Sequence, residues 1–83
     1  MANPSASSDL DGQLLQAHAK GDLRQLVALY TLAANQKETD GDIEATCFFL
    51  THAFIFALES GAPQTRALNH RLVAYGREEP LDG

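Results

Sequence analysis

The sequence has no tryptophan, a single cysteine, a single methionine and three prolines among its 83 residues. The lone thiol, Cys47, cannot close an internal disulfide, so no cross-link compensates for the small core that a chain of this length can build. β-Branched apolar residues are scarce as well: two Val and two Ile stand against thirteen Ala and twelve Leu. That balance disfavours sheet and predicts an all-α fold. Basic residues are few, six against eleven acidic ones, for a net charge of −5. This is the wrong sign for covering a phosphate backbone, and nucleic acid is excluded as an expected partner.

No long hydrophobic run is present. The longest, Cys47 to Leu58, is broken by Thr51 and His52 and falls short of the roughly 20 apolar residues of a membrane span. It is expected to be a buried helix, with no membrane role. The first residues, Met1-Ala2-Asn3-Pro4-Ser5, carry neither a basic segment nor an apolar one, so the expected location is cytoplasmic. One domain fills the chain, and there is no room for separate cofactor and substrate modules.

Residues 1–8 have no apolar periodicity and are expected to form a disordered tail. Residues 9–77 make the helical domain, and residues 78–83 a loose acidic end. Leu10, Leu14 and Ala17 place a first helix, with Ser8 or Asp9 as its cap. Asp22 caps a second, with Gln25 in capping-box position and Leu23, Leu26, Val27, Tyr30, Ala33 and Ala34 along one stripe to about Gln36. The polar segment from Lys37 to Asp42 reads as a linker into a third helix ending near Glu59. Gly61 and Pro63 stop one helix and start another. The fourth carries Leu68, Leu72 and Tyr75, and ends at Gly76. About four antiparallel helices result, as a small bundle or an array of helical hairpins.

Gly21, Gly41 and Gly61 recur at equal spacing, followed by Gly21-Asp22-Leu23-Arg24, Gly41-Asp42-Ile43-Glu44 and Gly61-Ala62-Pro63-Gln64. In this register Val27, Cys47 and Ala67 coincide, as do Ala33, Ala53 and Val73. The pattern Leu26-x-x-x-Tyr30-x-x-Ala33, then Phe54-x-x-Ala57-Leu58 and Pro63, resembles the hairpin signature of tetratricopeptide or Sel1-like repeats across residues 21–63. It departs from that signature at the Gln36 to Gly41 linker, at Leu50 and at Pro63. The resemblance implies stacked helical hairpins that serve as a scaffold for peptides or proteins, without catalysis.

On a helical wheel of about 100° per residue, the third helix puts Ile43, Cys47, Leu50, Phe54 and Leu58 on a core side. Its other side is apolar too: Phe48 with Ile55 and Phe49 with Phe56 form two rows beside His52 and Glu59. Such a helix is either central and buried or covered by another chain. Phe48, Phe49, His52 and Phe56 are therefore the candidate contact with a protein partner or with a second copy. A positive strip on the fourth helix, Arg66, His70 and Arg77 with Asn69 beside it, is a solvated face or a seat for an acidic peptide.

No catalytic residue is expected. Cys47 and His52 lie about 140° apart on one helix and cannot share a proton. Asp40, Asp42 and Glu44 resemble the opening of a calcium loop but lack its Gly and distal Glu, so capping explains them. His18 and His70 have no partner at ligand spacing, and neither metal nor cofactor is expected.

Overall fold

The computed structural model describes residues 6–81, with side chains from Leu10 onward. Four helices account for most of them: α1 (Ala6–Lys20), α2 (Leu23–Thr39), α3 (Ile43–Ser60) and α4 (Thr65–Ala74). The all-α expectation holds, and consecutive helices pack as antiparallel neighbours. α2 lies along α3, α1 packs on α2 and α4 packs on α3; backbone approach within 8 Å links only consecutive helices. The result is a slab with principal extents of 52 × 30 × 15 Å. Its thin dimension is only a little more than one helix diameter, so no helix can be enclosed on every side.

Four glycines end the four helices in the same way. Gly21, Gly41, Gly61 and Gly76 have φ of 66°, 79°, 65° and 73°, the left-handed conformation that a side chain opposes. The next amide folds back on the carbonyl five residues earlier: Asp22 N donates to Ala17 O at 3.0 Å, Asp42 N to Lys37 O at 3.0 Å, Ala62 N to Ala57 O at 2.9 Å and Arg77 N to Leu72 O at 2.9 Å. The recurring glycines of the sequence are thus equivalent turns. At two of them the following Asp also opens the next helix, since Asp22 accepts from Gln25 N at 3.2 Å and Asp42 from Ala45 N at 3.1 Å. The register match is not complete, because Val27 and Cys47 are buried while Ala67 is exposed.

Some boundaries move. α1 starts at Ala6, ahead of the expected cap at Ser8 or Asp9; residues 1–5 lie outside the described residues. α2 continues through Lys37, Glu38 and Thr39, so the expected linker shrinks to Asp40-Gly41-Asp42. Glu38 explains the extension: its carboxylate accepts from Arg71 Nη2 at 3.0 Å and from the Tyr75 hydroxyl, which ties the last turn of α2 to α4. α4 begins only at Thr65, after a turn in which Thr65 N and Oγ1 both donate to Ala62 O. The acidic end is tied down as far as Leu81. The buried Asn69 donates through Nδ2 to Glu79 O at 2.9 Å and accepts from Leu81 N at 3.1 Å.

Two apolar clusters hold the slab. One joins Val27 and Ala34 to Leu50, Ala53, Phe54 and Ala57 of α3 and to Leu68 and Leu72 of α4. The other joins Leu10 and Ala17 of α1 to Leu26, Leu29 and Ala33 of α2. Tyr30, Phe49 and Phe56 pack against both.

The glycines of this fold predict opposite responses to one substitution. Gly12 lies inside α1 with open space where a Cβ would go, so Gly12→Ala is expected to stabilise by about 0.5–1 kcal/mol. Gly41→Ala meets no atom either, yet is expected to destabilise by about 1 kcal/mol because of its positive φ. Urea unfolding of the two variants measures both signs.

Candidate functional site

α3 is the helix through which the rest of the slab connects, and its sides have different fates. Leu50, Ala53, Phe54 and Ala57 are buried against α2 and α4, and Cys47 is buried as well. Its polar residues do not interrupt this packing, because Thr46, Thr51 and Ser60 return their hydroxyls to carbonyls one turn back in the same helix. Ile43 and Leu58, expected on the core side, lie 40 % and 49 % exposed.

The second apolar side divides into two rows. Phe49 and Phe56 turn inward onto Tyr30 of α2, with ring centroids 6.1 and 5.8 Å away. The Tyr30 hydroxyl and His18 Nε2 share a hydrogen bond of 2.9 Å, and the His18 ring meets Phe56 edge-on at 5.8 Å. This brings α1 onto the α2–α3 pair. His52 is half-buried; its ring stacks on Tyr30 at 5.1 Å, and its Nδ1 donates to Phe48 O at 2.9 Å. The outer row stays open. Phe48 is 58 % exposed and Ile55 46 %, and with Leu58 they form an apolar face on the solvent side of α3. Of the candidate residues, Phe48 therefore lies on the surface, His52 at its edge, and Phe49 and Phe56 in the seam beneath. Ile55 and Leu58 belong to the exposed face, although the sequence reading placed Leu58 in the core and did not select Ile55.

An open cleft of about 710 Å³ runs around Phe48, lined among others by Lys37, Asp42, Glu44, Thr51, His52 and Arg77. Its polar lining is mixed in sign. Arg77 Nη2 donates to Glu44 Oε2 at 2.9 Å, and this bond raises the guanidinium further above its ordinary range. The positive strip expected on the fourth helix is thereby divided, and Arg77 lies past the end of α4 at Ala74. Arg77 faces Glu44, the neighbouring Arg71 faces Glu38, and Arg66 and His70 are exposed. Asn69 is directed inward, where it holds the chain's end and is not free to meet a peptide. Cys47 is a buried free thiol. Among the described residues no group of three or more His, Cys, Asp or Glu is placed to hold a metal ion. By length and composition α3 is apolar enough to cross a bilayer, a property hidden by counting only its unbroken run; a third of the helix is buried inside the fold.

No known protein family, curated protein or solved structure matches this chain. Function is argued from the surface itself.

The two rows predict different costs of truncation. Phe56→Ala opens a void between the two clusters and is expected to destabilise by about 2 kcal/mol or more, whereas Phe48→Ala, at the surface, stays within about 0.5 kcal/mol of the wild type. Chemical unfolding midpoints compare them.

Tyr75 supplies a pH prediction. Its hydrogen bond to the Glu38 carboxylate, reinforced by partial desolvation and by the negative charge of Glu38, raises the phenol above its ordinary value of 10.0; Arg71 opposes this. A proton held more tightly in the folded chain stabilises the fold at every pH below the unfolded value, and that stabilisation disappears as pH rises through the folded value. Absorbance titration at 295 nm is expected to show a step above pH 10 that Tyr75→Phe removes and Glu38→Gln moves down, with unfolding eased over the same range.

Proposed function

We propose that this chain is a small, non-catalytic interaction module of the cytoplasm, an adaptor or regulator that docks a protein or peptide on the outward face of α3. The observation that carries the reading is the row of Phe48, Ile55 and Leu58, each about half exposed on one helix whose opposite side is fixed in the core. Isolated exposed apolar residues are ordinary, but a contiguous aromatic and aliphatic strip on a rigid helix marks a contact surface. Helix-in-groove or helix-on-helix recognition suits such a strip. The hairpin resemblance of residues 21–63 agrees with a scaffold role and forms part of the proposal. In this reading Arg71 of α4 and Arg77 just beyond it serve the framework more than the contact, because they are engaged by Glu38 and Glu44.

The test is sedimentation equilibrium from micromolar to millimolar protein, with Phe48→Ser/Ile55→Ser beside the wild type. The double variant is expected to keep the helical circular-dichroism signal and to lose the weak self-association that an open apolar strip produces at high concentration. A variant that unfolds would place the strip in the core. A wild-type dimer stable at micromolar concentration would instead favour a structural homo-oligomer.

A further inference from the structure

Two polar side chains are buried among the described residues, Thr46 and Asn69. Thr46 needs nothing beyond its own helix, since its hydroxyl donates to Asp42 O one turn back at 2.7 Å. Asn69 is different. It sits inside α4, where its side chain weakens a helix, and it turns both ends of its amide onto backbone outside that helix. Nδ2 donates to Glu79 O at 2.9 Å, and Oδ1 accepts from Leu81 N at 3.1 Å. These two groups flank Pro80. In an extended chain the carbonyl before a residue and the amide after it project to the same side, so Asn69 pairs with this segment as a neighbouring strand would.

Recognition of backbone takes no account of most side chains, but it sets two requirements. The central residue gives Asn69 no hydrogen bond, so a proline serves there and brings its φ already fixed. The residue after it must keep its N–H, so a second proline is barred. Leu81 adds an apolar side chain that is half covered at the site.

The segment is lightly held. Among the described residues, neither apolar cluster takes in anything beyond Tyr75, and residues 78–81 are all exposed while Asn69 beneath them is buried. The last fixed point before them is Arg77, through its amide to Leu72 O and its guanidinium to Glu44. Beyond it, two hydrogen bonds of small net worth are set against the entropy of ordering four residues. Seated and lifted forms therefore lie close in free energy. Lifting the segment bares an amide whose donor and acceptor both point at the place of one strand-like occupant.

We infer that Asn69 marks a second docking site, for an extended segment of another protein built on a proline followed by an aliphatic residue, and that Glu79-Pro80-Leu81 is its intramolecular competitor. The seated segment displays the chemistry the site accepts, and it keeps Asn69 from other peptides until a partner displaces it. The site shares no residue with the outward face of α3.

The experiment follows the Asn69 side-chain amide in proton–nitrogen NMR spectra of the full chain during titration with two peptides, Glu-Glu-Pro-Leu-Asp-Gly and Glu-Glu-Pro-Pro-Asp-Gly. The wild type is compared with Leu81→Pro, which deletes the N–H that Asn69 accepts from and so unseats the segment without touching either apolar cluster. The leucine peptide is expected to shift the Asn69 amide and to bind Leu81→Pro at least about tenfold more tightly than the wild type. The proline peptide is expected to bind neither, and Asn69→Ala to lose binding with its helical circular-dichroism signal kept. Failure of the leucine peptide to bind folded Leu81→Pro would overturn the site and leave Asn69 as a tie for its own chain. Equal binding of the two peptides would place the contact elsewhere and overturn it as well. Self-association of the wild type that Leu81→Pro abolishes and Phe48→Ser/Ile55→Ser leaves intact would give the site to the same segment of a second copy, overturning the foreign partner.

Discussion

The packing of Tyr30 against Phe49, Phe56 and His52 is the contact on which the rest of this structure depends. A slab 15 Å thick has no single centre. It has instead one apolar cluster shared by α1 and α2 and another shared by α2, α3 and α4, and both rest on the same three half-buried rings. The rings meet at offset and edge-on angles that suit their quadrupoles. The His18 bond to the Tyr30 hydroxyl extends the seam to α1 and gives the phenol oxygen a partner. Because Phe49 and Phe56 are committed to this seam, α3 is rotationally fixed, and its outer row is held toward solvent.

Much of the architecture was legible because it is written in local chemistry. Ala and Leu without β-branched runs make helices, and a left-handed glycine followed by Asp ends one helix and starts the next within a few residues. The caps at Asp22 and Asp42 and the stops at Gly21, Gly41, Gly61 and Gly76 needed no knowledge of distant parts of the chain. What could not be read depended on neighbours far away in sequence. The end of α2 is set by Glu38, whose partners Arg71 and Tyr75 lie 33 and 37 residues on. The inward turn of Asn69 depends on where the chain's end returns.

The surface on α3 was half legible for a related reason. Periodicity finds which residues share a row, and the rows Phe48 with Ile55 and Phe49 with Phe56 are both present in the structure. It cannot say where the adjacent helix sits when all sides of a helix are apolar. Tyr30 decides that, by drawing one row under itself, and Leu58 is left outside for the same reason. A helix with one polar face would have announced its orientation; α3 does not, and its outer face only acquires meaning from the fold.

The turns carry a consequence for how such a chain can change over time. Asp22 and Asp42 each give their amide to the helix behind and their side chain to the helix ahead, so neighbouring helices are joined without a spare residue between them. Loops are where most small domains absorb insertions and acquire new contacts. Here an added residue would detach the end of one helix and the beginning of the next together. Variation is channelled to side chains on the outer helix faces, and a lineage built on this frame would alter what it recognises by repainting those surfaces while its connections stayed the same length.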